Sequence, residues 1–245
     1  MAKITATHID HMGSDLSVVN AARVSFGKKS KWDMECQTCG SGPFSCDCDL
    51  VWNGVEFMPP ICVYKNKLKD SDSKLIKYLA KHKHYSPFGH CFASFHIKAP
   101  IFVARQLVKH EYLRMNEISR RYVDSEPEFY VPDVWRGRAT DKKQGSEGVV
   151  QNVNDDQYTV YSLDLYDGLL QQGVAPEMAR MVLPQSMYTE WYWSGSMDAF
   201  ANMCNLRLKE DTQYETRLVA QQIDKVMQEL YPVSWSALVH IEGVQ

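Results

Sequence analysis

A single α+β domain is the simplest reading of this chain, and three observations carry it. Two strand-like segments, residues 92–98 and 187–194, stand far apart in the sequence. Helical patterns with capping residues or helix-starting prolines fill much of the remainder, and no internal repeat or linker divides the 245 residues. The composition, 44% hydrophobic and 11% aromatic, supplies a core and excludes a collagen, a disordered tail or a disulfide miniprotein. With 27 Lys and Arg against 30 Asp and Glu, the net charge of −3 gives no overall nucleic-acid signature. Any anion binding must be local. No apolar run approaches the ~18 residues of a membrane span. The start, MAKITATHIDHMGSD, lacks the apolar stretch of a signal peptide. A cytoplasmic protein without membrane or nucleic-acid partners is expected, its seven cysteines mostly reduced.

Along the chain, residues 3–9 alternate weakly and suit an edge strand. Ser14 reads as the N-cap of a helix over 15–24, where Asp15 complements the positive helix end and Leu16, Val19 and Val24 share a face. Residues 28–60 hold Gly40, Gly42, Gly54, Pro43, Pro59 and Pro60 and read as an irregular insertion. A helix over 71–83 turns Leu75, Ile76 and Leu79 inward, and leads into a YSPFGH turn. Over 92–98, Ala93, Phe95 and Ile97 share one strand face, with Phe92, Ser94, His96 and Lys98 on the other. Pro100 suits the first position of a helix running to about residue 110. Residues 125–154 are polar, with several Pro and Gly, and read as a loop. Helices over 155–172, from Pro176 to Pro184, from Ser196 onward and over 211–230 complete the reading, with the strand 187–194 among them.

Chemistry is densest after Pro100. Arg105, Lys109, Arg114, Arg120 and Arg121 face only Glu111 and Glu117 across 105–122. From charge alone this reads first as a solvated helix face leading into a charged loop. The second reading is an anion site, since the planar arginine fork matches phosphate and Ser, Asn and backbone N–H groups can complete it. Arg180 and Arg207 stand near helix ends, ordinary surface arginines unless a ligand claims them.

A second cluster is Cys36-x2-Cys39-x6-Cys46-x-Cys48. Four thiolates round a tetrahedral Zn(II) fit such a Gly-rich loop, in a structural role because no coordination position stays open. A cysteine-rich insertion without metal fits the sequence equally.

In order and spacing, HYSPFGH (84–90), FHIKAPIFVARQ (95–106), NEISRRY (116–122), GVAPEMARMVLP (173–184) and NLR (205–207) resemble the flavin-dependent thymidylate synthases. The resemblance covers most of 14–240, apart from 28–60 and the loop near 135–150. It implies one domain over 1–245, a small twisted, mainly antiparallel sheet flanked by helices, and a homotetramer with shared active sites. The implied reaction is reductive methylation of dUMP to dTMP, with methylenetetrahydrofolate as carbon donor, FAD as redox centre and NADPH as reductant. Such enzymes need no cysteine nucleophile, and Cys204, in NMCNLRL, lacks the context for one.

Carried over residue by residue, Arg207 is the catalytic arginine beside the uracil. Arg121 and Arg180 hold the nucleotide phosphate, with Ser119 and the N–H groups of 119–120. Gln106 and Glu117 are nucleotide-site positions. Arg120 stands where the family usually has Gly, so its side chain must point away or the cradle differs. Ser25, His84, Lys109, His110, Glu111, Arg114, Asn116 and Asn202 match the flavin site. The family signature RHRxxSxNExSxRY departs at Lys109 and Glu111, both Arg in the family, and at Arg114, Ser in the family. Lys109 loses the fork and Glu111 inverts the charge, while Arg114 can restore a cation. Asp198 replaces a further flavin-contacting Arg. These changes leave two other functions open: a related pyrimidine nucleotide hydroxymethylase, and a non-catalytic nucleotide-binding or zinc-containing protein.

Overall fold

The computed structural model describes residues 3–43, 48, 51–52, 57–58, 62–123, 126–140, 145–153 and 158–239. In chain order the strands are β1 (Thr5–Met12), β2 (Asp33–Cys36), β3 (Val51–Trp52), β4 (Phe57–Met58), β5 (Tyr64–Lys67), β6 (Phe92–Pro100), β7 (Leu113–Glu117), β8 (Gly137–Arg138), β9 (Ser146–Glu147) and β10 (Tyr188–Ser196). The helices are α1 (Asp15–Arg23), α2 (Asp70–Lys81), α3 (Ile101–Leu107), α4 (Tyr158–Gln171), α5 (Pro176–Ala179), α6 (Met197–Arg207), α7 (Tyr214–Leu230) and α8 (Pro232–Leu238).

Alternation decides which side of the main sheet is core. Strands β1, β6, β10 and β7 lie side by side in that order, and each pairing is antiparallel. Ala93, Phe95, Ile97, Trp191 and Trp193 are buried on one face. Phe200 of α6 meets Phe95 and Trp193 edge-on, with ring centroids 5.3 and 5.5 Å away, the geometry that aromatic quadrupoles favour. Helices α6, α7 and α8 extend the core through Met203, Val219, Ile223 and Trp235. The opposite face carries Ser94, His96, Lys98, Tyr192 and Ser194, with Tyr192 exposed and the others half-buried. The fold is therefore α+β with a small antiparallel sheet flanked by helices, as the sequence predicts.

Several boundaries differ from the expectation. The strand β6 runs through Pro100, so the helix starts at Ile101 and stops at Leu107 rather than 110. The chain then enters β7, a strand rather than a helix face and loop. Leu113 and Met115 pack against the core, and Arg114 between them and Asn116 after them face outward. Gly195 lets this strand approach, because a Cβ there would sit 2.8 Å from the Tyr112 carbonyl oxygen. Val24 leaves the α1 face and is exposed in a short 3-10 turn. The insertion is not wholly irregular: β2 pairs with β5, which lies beyond the expected end at residue 60. A two-residue ladder, β8 with β9, crosses the loop expected over 125–154. The start expected for α4 near residue 155 lies outside the described residues, and the helix α8 was not expected. Ser196 does stand as N-cap of α6, and Pro176 opens α5. Among the described residues, no helix is long and apolar enough to cross a membrane.

Candidate active site

The sequence-predicted residues fall into separate groups. The first lies where the end of α6 meets the end of α3. Arg207 Nε donates to His110 Nε2 at 3.0 Å, and Arg207 Nη2 donates to the Gln106 carbonyl oxygen at 3.1 Å. The Gln106 side-chain amide in turn donates to Gln213 Oε1. Two hydrogen bonds fix the guanidinium plane, and Nη1 has no hydrogen-bond partner among the described residues. Burial lowers the Arg207 pKa, yet an arginine stays charged in any such setting. His110 must accept with Nε2, so the imidazole is neutral and its proton sits on Nδ1. Its pKa is pushed down from 6.5 to about 4, first by burial and then by the Arg207 charge.

This pair has a pH signature. An unfolded chain takes up the His110 proton below about 6.5, whereas the folded chain resists until about 4. The unfolded state therefore binds more protons in that window. The His110 contribution is fully present above 6.5 and is lost as pH falls through the window. Urea midpoints measured from pH 7 to 4 should fall, and His110→Gln, whose side-chain oxygen can still accept from Arg207, should flatten that slope. An unchanged slope would remove His110 as its source.

The second group is a cavity of about 530 Å³ lined by Glu117, Ser119, Arg120, Arg121, Arg180 and Thr189, among others. Strand alternation turns Glu117 to the side of Trp191, and Thr189 Oγ1 donates to its Oε1 at 2.6 Å. Ser119 Oγ accepts from the Arg121 backbone N–H at 3.3 Å and from Arg121 Nε at 3.2 Å. Arg180 comes directly after α5 and donates through Nε to the Glu177 carbonyl oxygen at 3.2 Å. Arg120 also lines the cavity, so the cradle differs from one with glycine there. The arrangement sets three arginines and a serine hydroxyl beside an apolar wall of Ile101, Ile118, Met181, Leu183 and Met187, and the cationic side is matched to a phosphate. Arg207 does not line it.

The third group gathers two of the positions expected at the flavin site. Ser25 and His84 line one cavity of about 600 Å³, together with Arg23, Lys28, Tyr78 and Ser86. Arg23 Nε is buried without a hydrogen-bond partner among the described residues, while its Nη2 pairs with Asp72. Cations, hydroxyls and an unused donor fit a phosphate-bearing cofactor. Arg114 and Asn116 instead share the exposed sheet face, opposite Ser194 and Tyr192 of β10. Lys109, Glu111 and Asn202 are exposed and do not line the cavity of Ser25 and His84. Asp198 sits in the first turn of α6, where a carboxylate complements the helix dipole.

No accessible cysteine nucleophile stands in these groups. Cys204 is buried, which raises its pKa well above the ordinary value, and burial pushes Cys91 to about 11. Of the expected metal ligands, Cys36 and Cys48 come together and Cys62 joins them. Cys39 is exposed and outside that group, and Cys46 lies outside the described residues. Sequence spacing missed Cys62. The signal for it was its place two residues before β5, the partner of the strand ending at Cys36.

The family model described as thymidylate synthase complementing protein matches residues 7–233. The chain belongs to this family. Among its similar proteins, the flavin-dependent thymidylate synthase of Thermus thermophilus is 36% identical over 238 residues, covering 94% of this chain and 73% of that protein. The one from Thermosipho africanus is 35% identical over 242 residues, covering 94% and 89%. A solved structure of similar fold is the UMP/dUMP methylase PolB from Streptomyces cacaoi bound with 5-Br dUMP. Its TM-score is 0.71 at 30% identity, covering 96% of this chain and 94% of that one. In a thymidylate synthase complementing protein, the retained half-signature 116–122 acquires a physical meaning here. Its Glu117, Ser119, Arg120 and Arg121 line one cavity with Arg180, while Asn116 faces the other side of the sheet.

Proposed function

We propose that this chain is a flavin-dependent thymidylate synthase: it methylates dUMP reductively to dTMP with methylenetetrahydrofolate, FAD and NADPH. The observation that carries the reading is the family match over 7–233. The arginine-lined cavity supports it from the residues upward. The relatives and the structural neighbour carry flavin-dependent thymidylate synthase and dUMP methylase in their names.

Arg121 and Arg180 hold the phosphate, with the Ser119 hydroxyl aligned beside Arg121. Arg207 presents its unused Nη1 edge to the uracil. A fixed cation beside the pyrimidine favours the form ionised at N3, which makes C5 the stronger nucleophile toward the donated carbon. Neutral His110 and the Gln106 carbonyl hold that cation in place. Bound flavin supplies the reducing equivalents that turn the transferred carbon into a methyl group. Ser25 and His84 hold it from one cavity, and Arg114, Asn116, Lys109, His110, Glu111 and Asn202 are the remaining contact positions.

Within one chain these positions do not line a single cavity: Ser25 and His84 share one, and Arg114 and Asn116 stand on the exposed sheet face. A homotetramer whose subunits share each site unites them, and the half-exposed sheet face around Tyr192 is the surface through which copies meet. Light scattering on a sizing column should give about four times the 28.2 kDa chain mass; a monomer with full activity would contradict the shared site. The function itself is tested by the flavin absorbance of purified protein and by dUMP-dependent NADPH oxidation with methylenetetrahydrofolate present. Protein that binds no flavin at high FAD concentration would favour a non-catalytic nucleotide binder.

A further inference from the structure

Among the described residues of the insertion between α1 and α2, Cys36 is a buried side chain on a short ribbon whose other positions are mostly exposed or half-buried. Its ladder pairs Asp33, Met34, Glu35 and Cys36 with Lys67, Asn66, Lys65 and Tyr64. A two-stranded ribbon of that length is marginal by itself in water. Its ion pairs, Glu35 with Lys67 at 2.7 Å and with Lys65 at 3.6 Å, include exposed lysines and add little. A cross-link would stabilise such a ribbon.

The sulfur positions supply the candidate. Cys36 ends β2, Cys62 precedes β5, and Cys48 returns to them from between. The three Sγ atoms all lie within 4.8 Å of one another, and Cys36 and Cys48 are 3.6 Å apart. A disulfide needs ~2.05 Å between sulfurs. Thiolates at ~2.3 Å from a tetrahedral zinc sit ~3.8 Å from each other, close to the observed separation. The backbone is arranged for the same purpose. Gln37 donates its N–H to Val63 at 2.9 Å, which joins the residue after Cys36 to the residue after Cys62. Cys36 N–H donates to the Ser41 carbonyl at 2.8 Å, and Gly40 N–H donates to the Cys36 carbonyl at 2.9 Å. Gly40 closes that turn at φ +75°, a left-handed conformation glycine adopts freely. Cys36 is buried and the other two are half-buried, so a bound ion is largely shielded.

We propose that Cys36, Cys48 and Cys62 supply three of the four tetrahedral ligands of one Zn(II) that braces the fold, its fourth position going to water or a further donor, at a metal site in the insertion separate from the flavin and nucleotide groups. The ion links both ends of the insertion and braces the β2–β5 ribbon that leads into α2, whose Leu75, Tyr78 and Leu79 line the cavity with His84. Cys62 distinguishes this assignment from the set that spacing alone gives.

The test uses the full chain, purified without chelator and dialysed against trace-metal-free buffer. Elemental analysis should give about one zinc per chain, and Cys62→Ser should lose most of it. A second measurement on the unsubstituted chain guards against misfolding of the variant. Alkylation mapped by mass spectrometry should leave Cys36, Cys48 and Cys62 protected while zinc is bound, and all three should react once it is chelated. The buried Cys91 and Cys204 serve as unreactive references in both states. Zinc retained at full stoichiometry in Cys62→Ser would overturn the ligand set. A metal-free protein with Cys36 joined to Cys48 by a disulfide, or with all three thiols reactive from the outset, would overturn the site.

Discussion

Arg207→Ala should cut turnover at saturating dUMP by about 10²–10³-fold, the usual cost of removing one preorganised donor at a developing charge. The rise in dUMP dissociation constant should be much smaller. In the proposed assignment the phosphate contacts anchor the nucleotide, whereas the Arg207 contribution grows as negative charge builds on the pyrimidine, and only such interactions raise turnover. Arg207→Lys should also fall well below the parent. A lysine keeps the charge, but its three donors radiate from a single nitrogen, so it cannot span His110 Nε2 and the Gln106 carbonyl as Nε and Nη2 do while a separate nitrogen is aimed at the pyrimidine. Flavin reduction by NADPH, monitored separately by absorbance, is the control. It should stay intact in both variants, and its loss in step with synthesis would show damage to the cofactor site instead. Normal turnover in Arg207→Ala would remove the role.

Arg121→Ala and Arg180→Ala should each raise the dUMP dissociation constant about tenfold or more. Charge-assisted hydrogen bonds contribute about 1.5–3 kcal/mol, and ~1.4 kcal/mol is one decade. Arg121 carries a second effect, because its Nε and backbone N–H both point at Ser119 Oγ. Losing the side chain removes one of the two donors that orient that hydroxyl, the backbone N–H remaining, so Arg121→Ala is expected to be the more damaging. Calorimetry with dUMP and with deoxyuridine separates phosphate from base. Deoxyuridine binding should change little in either variant; an equal loss for both ligands would move these arginines away from the phosphate.

The core strands were legible because their patterns are strong. In β6, Ala93, Phe95 and Ile97 alternate with polar residues, and both β6 and the aromatic β10 form the centre of the sheet. The edge strand β7 was not. Its five residues carry Arg114, Asn116 and Glu117, and charge density masks the alternation of Leu113 and Met115. Only pairing with β10 settles that segment, and pairing is a tertiary fact. The short helix α8 is hidden for a similar reason: seven residues hold no long periodicity, and Trp235 declares its role only once buried.

At the site, motif order gave the residue types, and the structure gave their grouping. The cavity around Ser119, Arg120, Arg121 and Arg180 joins segments about sixty residues apart, a proximity no local pattern contains. The bond from Arg207 to His110 likewise spans 97 positions. Through that bond His110, matched by resemblance to the flavin site, also orients the arginine proposed to act on the pyrimidine. Cys62 was missed because metal spacing is read within a loop, whereas this residue arrives through strand pairing with the far end of the insertion.

Product identity decides most directly whether this chain is a thymidylate synthase. Purified protein is incubated with dUMP, NADPH, FAD and methylenetetrahydrofolate labelled with carbon-13 in its methylene carbon, and the nucleotides are separated and weighed by mass spectrometry. The expected product is dTMP carrying one labelled carbon in its methyl group, formed only when NADPH and FAD are both present. A labelled 5-hydroxymethyl nucleotide without dTMP, or unchanged dUMP from protein that binds flavin and dUMP normally, would contradict that assignment.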